Sequence, residues 1–338
     1  MRAAELSFGK AHVTLEKFGQ VALPEGAVRD GEVTDPIAVG QCIKQLWEHT
    51  KFSSKKVIVG VANQKVIVRQ VDLPWLEENE LKQSLGFQVQ DFIPMPVEHA
   101  VLDFFTLEEF TNDSGGRMRR GMLVAASREM VMNAVHAVQK GGLTVKMVDL
   151  SSFAVLRSLA GGGELGLDTS VEALVDVGAR VTNIVVHQGG APKFIRILLM
   201  GGQDLTDAVA DRMGVQVHQA EAIKQDVGLR GDTGDQANAA ARVIDAAASK
   251  FLDEVRGSLD YYTASTGSAS ISRLILTGGG SRLAGLAERI QTATRIPVVA
   301  GNPMERMSMG KTGLTPEQLA FVEPLAVVPV GLALGVSR

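Results

Sequence analysis

The stretch from Val171 to Val186 restricts this chain more than any other. Two apolar runs flank a short turn, so it reads as strand, tight turn, strand. Asp176, Gly178, Ala179 and Thr182 carry the turn in a DxGxxxT pattern. Gly178 lets the backbone bend where a Cβ would clash, so amide N–H groups can face an anion. Asp176 ends a buried strand, a place suited to a hydrated magnesium ion. The combination fits nucleotide phosphates. Taken alone, the stretch is a β-hairpin with a turn glycine.

Two later stretches shift the balance. Glu221 and Lys224 lie three apart in a helical pattern and share one face. By themselves they read as a solvated ion pair of little energetic weight. Gly278, Gly279, Gly280 and Ser281 follow an apolar strand and precede a helix. Three glycines there permit close approach of backbone to a ligand at a helix N-terminus.

Composition removes several function classes. The chain has 338 residues, enough for two or three domains with real cores. Its net charge is −4, so no basic excess points to nucleic acid. Cys42 is the single cysteine, which excludes an internal disulfide and fits a reducing cytoplasm. No CxxC, HExxH or histidine cluster marks a transition-metal site. The longest apolar run, Leu325 to Val336, is too short to span a bilayer and is broken by Pro329. There are 36 glycines and only 5% aromatics, a mix that suits an α/β protein with many strand-to-helix turns.

Read in order, the chain opens with a hairpin over 2–8 and 11–18, turning at Gly9 and Lys10. Asp35 and Pro36 start a helix that runs to Thr50. Strands are expected at 57–61, 65–71, 101–107, 121–126 and 145–150, with helices at 77–90 and 128–140. Arg117, Arg119 and Arg120 read as a solvated hairpin loop. Ser151 or Ser152 is expected to cap a helix ending before Gly161. Gly161, Gly162, Gly163 and Gly166 mark a joint between two α/β halves. Beyond it come a third strand at 193–199, a helix opened by Gly201 and Gly202, a polar loop at 228–235, a long helix at 239–263, a short strand at 297–300 and a last helix near Pro324. Two sheets with helices and a joint between them make a cleft where ligands gather.

With these blocks in this order, the sequence resembles the type IV pilus assembly protein PilM family over nearly its whole length. The second half matches through the 174–179, 194–197, 201–206, 220–224, 259–262 and 276–281 blocks. The first half matches through 68–74, Phe92 to Pro96 and Leu102 to Phe104. The resemblance implies an α/β, actin-like (ribonuclease H-like) two-lobed fold with an inserted subdomain shared with the cell-division protein FtsA. It implies a first lobe over 1–160, the insert at about 65–145, and a second lobe over 161–338. It assigns Asp176, Gly178, Ala179 and Thr182 to the second phosphate loop. Glu221 and Lys224 fall on the nucleoside side, and Gly278, Gly279, Gly280 and Ser281 in the adenosine loop. ATP and magnesium are the implied cofactors, with Asp176 meeting the metal through water. The implied partners are the cytoplasmic N-terminal segment of the membrane protein PilN and other pilus platform proteins. Membrane association is then indirect, and self-association stays open.

The family also opens with an apolar strand and a GlyxAspxGly loop, whereas this sequence begins with residues that match the strand after it. A start codon upstream is the expectation; otherwise the phosphate site is half built. An adaptor is favoured over a turnover enzyme, with weak ATPase activity left open. The alternatives are an FtsA-like scaffold and an actin-fold small-molecule kinase. The kinase would need a general base for which no second acidic motif is seen.

Overall fold

The computed structural model describes residues 1–10, 12–160, 170–229, 234–266 and 270–335. The glycine-rich joint at 161–166 and the middle of the polar loop read at 228–235 lie outside them. The chain opens with the hairpin β1 (Arg2–Phe8) and β2 (Val13–Gln20) and a small pair, β3 (Val28–Arg29) and β4 (Glu32–Val33). Helix α1 (Pro36–Thr50) follows, capped as expected: Asp35 Oδ1 accepts from the amides of Ile37 and Ala38, both at 3.0 Å. Next come β5 (Lys56–Val61), β6 (Val66–Pro74), α2 (Glu78–Val89), β7 (Ala100–Thr111), β8 (Arg117–Ser127), α3 (Arg128–Lys140), β9 (Thr144–Leu150) and α4 (Ser151–Leu159).

Strands β5 and β9 pair in parallel. A parallel pair needs a crossover, usually a helix, and α3 supplies it. Between β5 and the crossover helix lie β6, α2, β7 and β8, inside the stretch 65–145 read as the insert. These strands form their own three-stranded sheet in the order β6-β8-β7. Leu81, Leu85 and Val89 of α2 recur every four residues and pack on Val71, Leu73, Leu123 and Ala125 in a separate core.

The arginine cluster is not a loop. Arg117, Arg119 and Arg120 lie within β8. Arg120 grips Asp72 across the ladder at 2.8 and 2.9 Å and Glu108 at 2.7 Å, while Arg117 stacks 4.1 Å over Trp75. Arg119 and Arg120 are consecutive and point to opposite faces of the sheet, and such an unalternating run of charge gives a strand the look of a solvated turn.

The second half contains β10 (Val171–Val177), β11 (Thr182–Gln188), β12 (Ala191–Leu198), α5 (Gly202–Met213), α6 (Val217–Val227), α7 (Gly234–Thr266), β13 (Arg273–Thr277), α8 (Leu286–Thr294) and β14 (Val298–Ala300). Its sheet has the order β12-β11-β10-β13-β14. Every residue of the central strand β10 is buried, because both faces are covered. Ala173, Val175 and Val177 face the core made with Phe251, Val255, Leu259 and Ile290 of α7 and α8. Leu174 faces the other way, towards Val155 and Leu156 of α4.

The last elements, β15 (Met307–Met309), α9 (Pro316–Val322) and α10 (Val327–Leu334), do not stay with this lobe. β15 joins β2 in parallel, with Met307 opposite Val13. α10 packs on α4, β1 and β5. The final stretch, expected in the second lobe, thus packs on strands from the start of the chain. Among the described residues the first-lobe sheet is in two pieces, β1-β2-β15 and β5-β9, with α10 against both.

Candidate functional site

Three turns meet at the carboxyl end of β10. The first is the turn after Asp176. The Gly178 amide donates to Val181 O at 3.0 Å, and a Cβ on Gly178 would sit 2.5 Å from that oxygen. Glycine is therefore required to close the turn. Ala179 and Arg180 are exposed and lie outside the ladder. The carbonyls of Gly178 and Ala179 receive the amides of Gly202 and Gln203 at 3.0 and 2.7 Å, so this turn caps α5. Thr182 is fully buried, and its hydroxyl donates to Met200 O at 2.7 Å. This bond braces the turn.

The second turn is the start of α5, and α6 locks onto it. Lys224 is buried and donates to Gly202 O at 3.0 Å, Thr206 Oγ1 at 2.9 Å and Glu221 Oε2 at 2.7 Å. The pair read as solvated is thus part of a built network. Burial would raise the Glu221 carboxyl. Hydrogen bonds from Lys224, Thr206 and Gln225, with the Lys224 charge, outweigh it and hold the group below its usual range.

The third turn follows β13. Gly278 has φ +86, and a Cβ there would lie 2.5 Å from both Asp176 Oδ1 and Val177 O. A Cβ on Gly280 would lie 2.4 Å from Val177 Cγ1. Gly279 differs, since its Cβ would meet only Leu325 Cδ2, at 3.1 Å. Ser281 Oγ donates to Gly278 O at 2.7 Å. The glycines open a single 3-10 turn, Gly279–Arg282, and not the α-helix expected; α8 begins only at Leu286. The amide of Leu229, just past α6, reaches Ala284 O at 2.8 Å and closes the ring of contacts.

Asp176 sits at the centre, 7% exposed, directly opposite Thr277 in the parallel ladder. Burial pushes its carboxyl up to about 6, against a hydrogen bond from Asn183 and the charge of Arg2 on β1. From the first lobe the β3–β4 turn also approaches: a Cβ on Gly31 would lie 3.3 Å from Val181 Cγ2. Asn183 was not singled out by the sequence, and Gly202 and Thr206 were read only as parts of the 201–206 block that opens a helix. Asn183 was signalled only as a polar residue in an apolar strand.

Comparison with known proteins agrees with this frame. The family model for type IV pilus assembly protein PilM matches residues 1–336. The chain belongs to the PilM family. A solved PilM-PilN type IV pilus biogenesis complex contains a chain that superimposes with a TM-score of 0.86 at 27% identity, covering 100% of this chain and 95% of that one. An MreB of Spiroplasma citri, solved with ADP, has a TM-score of 0.53 at 12% identity over 98% of its length, which shows the actin-like fold. FtsA of Bacillus subtilis is 21% identical over 239 residues and FtsA of Escherichia coli K12 is 26% identical over 227. Those matches take in 53% and 52% of the FtsA chains, so this PilM-family chain spans about half of the FtsA lengths it matches.

The residues present fit a magnesium nucleotide. Magnesium keeps several waters and takes one or two carboxylates plus phosphates, so one carboxylate oxygen beside a glycine turn is a sufficient protein share. No group of three or more acidic, histidine or cysteine side chains placed for a metal occurs among the described residues. Asp176 would hold the hydrated ion, Gly279 would give room for the nucleoside, and Glu221 and Lys224 would border it. Gly178, Gly278 and Gly280 stand where a Cβ would clash with neighbouring atoms.

Proposed function

We propose that this chain is a cytoplasmic adaptor of pilus assembly that holds the N-terminal segment of a PilN-like membrane protein and binds ATP with magnesium at Asp176. The observation that carries the partner is the full-length likeness to a chain of a PilM-PilN complex. The nucleotide reading is supported by the convergence of the Asp176, Lys224 and Gly279 turns. When bound, magnesium ATP would supply fixed charge between the lobes. The chain's own part is to orient Asp176 and to keep Lys224 committed to Gly202, Thr206 and Glu221.

The inserted unit supports a site for an extended segment. β6 pairs with β8 alone among the described residues, so its other edge lies outside any ladder. Beside β6 runs a cavity of about 520 Å³ lined by Arg69, Gln70, Val71, Asp72, Phe92 and Arg120. A strand edge next to a pocket is a standard means of holding a peptide. Attachment to the membrane would then be through the partner: among the described residues no single helix is long and apolar enough to cross a bilayer. Other platform proteins and self-association would use different surfaces.

Calorimetric titration with a synthetic peptide from the start of the PilN-like protein should give roughly micromolar or tighter binding. Arg69→Glu should weaken it about ten-fold, since it reverses a charge at the cavity wall. Absence of heat with the unmodified chain would remove the adaptor reading.

A further inference from the structure

Asp176 has two oxygens in different surroundings. Oδ1 lies at the Gly278 turn, where a ligand would approach. Oδ2 accepts a hydrogen bond from Asn183 Nδ2 at 3.1 Å. Asn183 stands directly across the antiparallel ladder from Asp176. Its own Oδ1 accepts from Ser152 Oγ at 2.9 Å. Ser152 is in the first turn of α4, is fully buried, and belongs to a different element from the sheet. Asn183 is 4% exposed, so the whole chain of bonds is out of water.

The direction of this chain is fixed by chemistry. An ionised carboxylate only accepts, so the amide nitrogen of Asn183 must face Asp176. The amide oxygen must then face Ser152, whose hydroxyl donates. α4 supplies no side-chain cap of its own at this end, so Ser152 does not do the job its position suggested. Further along α4, Arg157 Nε donates to Gly331 O of α10 at 2.9 Å, and its guanidinium also meets Asp149. The carboxylate is thereby tied to the helix that packs against the C-terminal element of the first lobe.

We infer that Ser152 and Asn183 are positioning residues that hold Asp176 with Oδ2 anchored to α4 and Oδ1 presented at the Gly278 turn. Neither touches the ligand. Groups that orient a metal-holding carboxylate in this way typically contribute 10–100-fold to metal affinity. The consequence for binding rests on the nucleotide reading; the existence of the relay does not.

The test uses the full chain and Ser152→Ala, which removes the far end of the relay and leaves Asp176 and Asn183 in place. Without the serine hydroxyl the Asn183 amide oxygen is left buried without its donor, and the amide is held from the Asp176 side alone. Affinity for ATP with magnesium, measured by calorimetry, should fall about ten-fold. Affinity for ATP in excess chelator should stay within about two-fold. Equal losses in both would show a general packing defect and overturn the inference. A double-mutant cycle with Asp176→Asn needs no nucleotide. Asparagine at 176 can donate as well as accept, so either orientation of Asn183 is satisfied there. Ser152→Ala should raise the urea unfolding constant about five-fold in the natural chain and less than about two-fold beside Asp176→Asn. Additive effects would overturn the relay. If the natural chain binds no magnesium ATP, the nucleotide reading fails and the cycle alone judges the relay.

Discussion

A carboxylate inside a sheet carries a cost that depends on pH. Asp176 titrates near 6 in the folded chain against 3.8 for an ordinary aspartate, chiefly because burial disfavours its charge. Below the lower value both states are protonated and folding is unaffected. Between the two the unfolded chain ionises while the folded chain keeps its proton, so stability falls as pH rises through this window. Above the upper value the full penalty stands, about 3 kcal/mol for a shift of about two units. Asp176→Asn should therefore raise the unfolding free energy in urea by up to about 3 kcal/mol near neutral pH, and the gain should vanish towards pH 4. A loss at neutral pH would mean the ionised form is better solvated than its burial implies. Asp176 and Gly178 were legible because a carboxylate and a glycine interrupt an otherwise apolar pattern. Asn183 was not, because its role exists only through cross-strand register and a helix from elsewhere in the chain. Lys224 was read as solvated because three-residue spacing shows a shared face and not what covers it.

At the scale of elements, the three glycines after β13 look alike in sequence and differ in space. Gly278 combines a left-handed φ with a Cβ position that would strike Asp176 and the Val177 carbonyl. Gly278→Ala should cost about 2–4 kcal/mol in thermal unfolding. Gly279→Ala meets only the end of a leucine side chain and should stay within about 1 kcal/mol. Gly279→Val should remain folded by circular dichroism and lose most nucleotide affinity in calorimetry. Retained affinity would move the nucleoside elsewhere. The triplet was legible as a turn, but its helix was not: Ser281 closes a tight turn locally, and α8 starts after a second break at Gly285. The β-rich insert was legible as separate strands and a helix. In sequence α3 continues directly from β8, while in space it belongs to the β5–β9 crossover.

For the whole molecule, periodicity recovered the two α/β halves and the central strands of each. It did not recover the return of the C-terminal elements. β15 is three residues long, too short for any pattern, and α10 is apolar on all sides because α4, β1 and β5 surround it. Deleting 303–338 should leave Leu15 and Phe18 without Leu325 and Val330, their partners in one core. Hydrogen exchange on that truncated chain should show protection lost from β1, β2 and β5 and kept in β10, β11 and β13. Uniform loss would mean the lobes fold only together.

The same return sets an order of events on the ribosome. The sheet from β10 to β14 is complete in sequence before the last forty or so residues emerge, at roughly 5–20 residues per second. The earlier lobe must wait, its hairpin and its parallel pair apart, until α10 emerges. During that interval Phe18 and its neighbours are open to water, which makes nascent chains stalled late in synthesis the form most in need of a chaperone.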